Sequence, residues 1–136
     1  MGFFQWVTVL FILALANLVW GRISVKRFMA VHQRISTMME LTRFKRMVRK
    51  QMYGALLQMV LLGAMGTLAF VGILIGSINT IQFLVVLAMN GIIVYAGNQG
   101  KSIENRARDL PVDDLDLRTN YVDICRTWRL KAFPDF

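Results

Sequence analysis

An all-α integral membrane protein with three transmembrane helices, an N-terminal anchor followed by a helical hairpin, is the fold class this sequence predicts. Three observations predict it. Residues 1–21 and 51–100 contain no charged side chain. All 16 Lys/Arg and all 8 Asp/Glu fall in 22–50 or 101–136. Apolar residues make up 56% of the 136 and charged residues 18%, against roughly 45–50% and about 25% in soluble domains. Charge-free blocks of this length exclude a disordered chain, a collagen-like fibre and an ordinary soluble enzyme.

The first block, residues 3–20, is interrupted only by Gln5, Thr8 and Asn17. As a helix it covers roughly 27 Å, enough to cross a bilayer. Ala14-Leu15-Ala16 fits a signal-peptide cleavage pattern, but no Lys or Arg precedes the apolar run and the run continues past the site. Retention as an anchor is the simpler account. The second block is too long for one crossing, because hydrocarbon about 30 Å thick takes about 20 helical residues. It divides into spans at 53–76 and 81–97, with Ser77-Ile78-Asn79-Thr80 as the turn.

Direction follows from the basic residues. Arg22, Lys26, Arg27, Arg34, Arg43, Lys45, Arg46, Arg49 and Lys50 lie between the first two spans, against Glu40 alone. The hairpin turn carries no charge, and the tail carries seven Lys/Arg and seven acids. The positive-inside rule therefore predicts an outside N-terminus, with arm and tail in the cytoplasm, or in the matrix of a mitochondrion. The excess charge of +8 resides in the arm. The chain is thus organised as an anchor (1–21), a basic arm (22–52), a hairpin (53–97) and a tail (98–136).

Within the arm, Phe28, Val31, Ile35 and Met38 recur at helical spacing, and no Gly or Pro interrupts 22–53. Such an amphipathic helix either lies on anionic headgroups, with all nine basic side chains as candidate lipid contacts, or extends the second span as a stalk. A membrane-adjacent basic helix is explained without nucleic acid. In the tail, Pro111 forces a break, and Tyr121, Ile124, Cys125 and Trp128 follow an i, i+3, i+4, i+7 pattern. With Phe133 and Phe136 these aromatic and apolar residues predict that the tail docks, on its own cytoplasmic face or on a neighbour.

The spans hold no ionisable group of the kind that marks proton relays. The single His32 lies in the arm and Cys125 is alone, so no intrachain disulfide forms and no metal-ligand spacing is present. There is no nucleophile–base pair and no phosphate-cradling glycine loop, so the sequence predicts neither an enzyme nor a bound cofactor. What the spans offer is packing chemistry. Gly63, Gly66, Gly72 and Gly76 permit close helix approach, and Asn17, Gln58, Thr67 and Asn90 can hydrogen-bond between helices.

Leu61-Leu62-Gly63-Ala64-Met65-Gly66-Thr67 resembles the LLGxxGT run in the second span of the Exb/Tol/Mot proton-channel family. Its members share three spans, an outside N-terminus and a basic cytoplasmic segment after the first span. The resemblance covers these residues alone and implies a pore-facing role for Thr67. The chain departs from the family in its short loop and hairpin turn, and in a third span reading Asn90-Gly91-Ile92-Ile93-Val94-Tyr95 where the family has Ala-x-Pro.

Two functions follow as expectations. The first is a non-catalytic membrane subunit or scaffold that forms a homo- or hetero-oligomer through glycine-lined helices and contacts anionic lipid or cytoplasmic partners. The alternative is an oligomeric pore, holin-like or distantly Exb/Tol/Mot-like, with Gln58, Thr67, Gln82 and Asn90 turned to a lumen.

Overall fold

A computed structural model describes residues 2–136. It contains four helices: α1 (Phe3–Val31), α2 (Met38–Leu74), α3 (Thr80–Arg108) and α4 (Leu115–Leu130). The first three are long and apolar enough to cross a membrane. They also run on, unbroken, into the charged segments. At 37 residues, α2 is about 55 Å long by its rise per residue, so the second span and the basic residues before it form one element.

The expected continuity of the arm does not hold. Phe28 and Val31 end α1, Met38 begins α2, and Ile35 lies between them in extended backbone. Two forces make the break. Ile35 pairs in parallel with Val112: its N–H donates to the Pro111 carbonyl at 2.9 Å, and its carbonyl accepts from Asp113 at 3.2 Å. Thr37-Met38-Met39-Glu40 then forms a capping box. The Glu40 N–H donates to Thr37 Oγ1 at 3.3 Å, and Glu40 Oε2 accepts from the N–H groups of Ser36 and Thr37 at 2.7 and 3.3 Å.

The turn between α2 and α3 covers residues 75–79, against the expected 77–80, with Thr80 already the first residue of α3. Gly76, at φ 71°, ends α2. Its N–H donates to the Ile73 carbonyl, and the Ser77 N–H donates to Gly72 at 2.8 Å, a Schellman arrangement. Asn79 and Gln82 open α3 by exchanging side-chain and backbone hydrogen bonds at 2.8 and 3.1 Å. Asp114 caps α4, its side chain accepting from the Asp116 N–H.

The chain divides into two compact units. One comprises the described residues up to Val19 with Leu57–Gln99, and it contains no charged side chain. Its core is a thin seam: Val7 and Ala14 from α1, Leu61, Met65 and Ala69 from α2, Val86 and Ile93 from α3. Spacings of four and seven give each helix one buried stripe. The other unit, Trp20–Leu56 with Gly100–Phe136, carries every charge. Its core gathers Val25, Ile35, Phe44, Val48, Ala107 and the inner face of α4.

Candidate functional site

The glycines differ in what they face. A Cβ on Gly72 would sit 2.5 Å from Ile78 Cδ1 and 2.7 Å from its Cγ1, so this glycine lets the hairpin turn close on α2. Gly63, Gly66 and Gly91 have nothing within 4 Å of such a Cβ. On α2 the open pair lies in an outward stripe with Val60, Thr67, Phe70 and Leu74, all exposed. Gly76 serves the turn rather than a helix contact.

The polar residues of the spans are engaged within the chain. Asn17 Nδ2 donates to Gln58 Oε1 at 2.9 Å, joining α1 to α2. Thr67 Oγ1 donates to the Gly63 carbonyl at 2.9 Å and Asn90 Nδ2 to the Val86 carbonyl at 3.0 Å, both on their own helices. These two therefore do not bridge helices as expected, because a carbonyl one turn back is always within reach of a short polar side chain. The buried Gln58 Nε2 has no hydrogen-bond partner among the described residues.

In the charged unit the expected docking residues turn inward. Tyr121, Ile124 and Trp128 are 4, 7 and 8% exposed and belong to this unit's own core. Phe44 is the hub, its ring centroid 4.8 Å from Tyr121, 5.6 Å from Phe28 and 6.4 Å from Trp128. The Tyr121 hydroxyl donates to the Ala107 carbonyl at 2.6 Å and accepts from the Leu110 N–H at 3.0 Å, which ties off the end of α3. Burial raises its pKa. Phe136 is half-buried beside Lys45 and Arg49, whose cationic groups stand 5.4 and 5.9 Å from its ring centroid. Phe133 remains exposed.

Sequence reasoning missed Arg108. Its guanidinium stacks 4.7 Å over the Trp128 ring and pairs with Glu104 at 3.5 Å. The i, i+4 acid–base spacing was the available signal.

Among the nine basic residues of the arm, Lys26, Arg27, Arg34, Arg43, Arg46, Arg49 and Lys50 are exposed, while Arg22 and Lys45 are half-buried. Arg34 pairs with Asp113 at 3.3 Å beside the Ile35–Val112 bridge. Arg43, Arg46, Arg49 and Lys50 share the outward side of α2, and Glu40 is held in the cap away from them. Among the described residues no group of His, Cys, Asp and Glu could hold a metal ion. The arrangement offers open helix faces and a cationic surface, the materials of association.

The chain matches no protein-family model, no curated protein and no solved structure.

Proposed function

We propose that the chain is a non-catalytic membrane subunit that assembles, with copies of itself or with other membrane proteins, through the open glycine stripe of α2. It presents its basic unit on the cytoplasmic or matrix side, with the N-terminus opposite, as the distribution of Lys and Arg argues. The observation that carries this reading is the contrast between glycines. Gly72 answers to a contact inside the chain, whereas Gly63 and Gly66 face outward with no internal partner. A glycine inside a helix costs roughly 1 kcal/mol relative to alanine, and close approach of a second helix offsets that cost. Anionic lipid on the cytoplasmic leaflet is the expected contact for the basic residues nearest the spans, Arg22, Arg49 and Lys50.

The test compares Gly63→Leu and Gly66→Leu with wild type in native mass measurements after mild extraction. Wild type is expected as a complex larger than the 15.6 kDa protomer, and each variant as a shift toward the protomer with helix content unchanged. A wild type that is solely a lone protomer at native abundance overturns the reading.

A further inference from the structure

The outward face of α2 in the charged unit has a composition that the topology rule does not require. Arg43, Arg46, Arg49 and Lys50 are all exposed along it. Met38, Met39 and Tyr53 stand among them at 61, 67 and 55% exposure, and of the four cations Arg49 donates to the Phe136 carbonyl. The one acid of this segment, Glu40, is occupied by the capping box. Bordering the face is a groove of about 520 Å³ between α2 and α4, whose lining holds Met38, Leu41, Ile124 and Phe136 and also two carboxylates, Asp123 and Asp135, the second paired with Lys131.

From this juxtaposition we infer that the α2 face and its groove are a docking site for an acidic amphipathic helix of a partner protein, its carboxylates on the arginines and its apolar side chains in the groove. This deepens the proposed subunit role and rests on it. Charge complementarity selects an anionic occupant, and two further observations select a protein among anions. Exposed Met and Tyr beside Arg is the composition of protein interfaces, and headgroup phosphate or nucleic-acid backbone would leave Met38, Leu41 and the other apolar side chains of the groove uncovered. Arg43 also lies ten residues before Tyr53 on a continuous helix, up to roughly 15 Å along its axis, whereas attraction to a charged bilayer decays over about 8 Å at physiological salt. Lipid reaches Arg49 and Lys50 far better than Arg43 and Arg46.

The experiment uses the full chain in nanodiscs of zwitterionic phosphatidylcholine. The probe is a fluorescent helical peptide with Glu on one side and Leu at i, i+3, i+4, i+7 on the other. A Glu/Ser peptide of equal charge is the comparison. Saturable binding of the Glu/Leu peptide is expected, at least tenfold tighter than the Glu/Ser peptide and weakening as salt rises. R43E/R46E is expected to lose at least tenfold in affinity, and R43Q/R46Q less, with helix content and native complex mass unchanged. Equal binding of the two peptides overturns the proposal, as does indifference to both double variants. Displacement of the peptide by phosphatidylglycerol in the disc would assign the face to lipid, and tighter binding of single-stranded RNA through the same arginines would assign it to nucleic acid; either result overturns it. Loss of peptide binding at unchanged complex mass leaves assembly through α2 intact, so the two readings fail separately.

Discussion

At Cys125 the surroundings of one side chain govern its chemistry. The thiol is half-buried on α4, its Sγ donating to the Arg108 carbonyl at 3.9 Å. Loss of water pushes its pKa up to about 11, from about 8.5 for a free cysteine. The folded chain therefore holds its proton over a pH range in which the unfolded chain releases it. The stability this contributes is complete below about pH 8.5 and is lost as pH rises toward about 11. Alkylation by iodoacetamide should follow the same numbers: a rate midpoint near pH 11 for the folded chain, moving to about 8.5 in denaturant. A folded-state midpoint near 8.5 would show the thiol to be solvated. Sequence identified Cys125 as an apolar member of the Trp128 turn, since periodicity is local. Arg108 above Trp128 was not legible in the same way, because that contact depends on how α3 and α4 meet.

At the level of elements, the spans and the hairpin turn were legible because hydropathy, glycine and small polar residues act over a few neighbouring positions. The break between α1 and α2 was not, although its signal, Thr37-x-x-Glu40, is present. A search for Gly and Pro overlooks a boundary made by a capping box and by pairing with a distant segment, Pro111–Asp113. Nor does the sequence distinguish Gly72 from Gly63, since both sit in small-residue runs of one helix. Their substitution separates them. Gly72→Ala gains up to about 1 kcal/mol in helix propensity but drives a methyl into the buried Ile78. Overpacking of this kind costs about 1–3 kcal/mol, so a net loss of about 1 kcal/mol is expected in thermal melts of the solubilised protein. Combining it with Ile78→Ala should be less harmful than the sum of the two changes, whereas additive losses would refute the contact.

For the whole molecule, the decisive quantity is how little of the apolar surface the chain covers itself. The most apolar windows of α1, α2 and α3 are only 11, 22 and 11% buried, so most of their side chains require an apolar solvent. With the charges confined to one unit, the proposed topology has that unit on one side of the bilayer and the Asn79 turn on the other, as the positive-inside rule argues. Cysteines introduced at Arg43 and Phe133, in a chain with Cys125 replaced by Ser, should react with a membrane-impermeant maleimide from the same side, and one at Asn79 from the opposite side. Labelling of Arg43 and Asn79 positions from one side would refute the topology. The division into uncharged and charged units could be read directly from the sequence, since it is a property of composition along the chain. The inward orientation of Tyr121 and Trp128 could not, because an amphipathic helix fits its own core and a neighbour equally well by pattern.

The covering of Phe44 by α4 has a consequence for biogenesis. Translation delivers α4 after all three apolar helices, so Phe44 first has Phe28 of α1 for a ring neighbour and gains Tyr121 and Trp128 only later. A nascent chain arrested before Leu115 would hold its hairpin yet leave the α4 side of that aromatic cluster open, the sort of surface on which chaperones and quality-control proteases act.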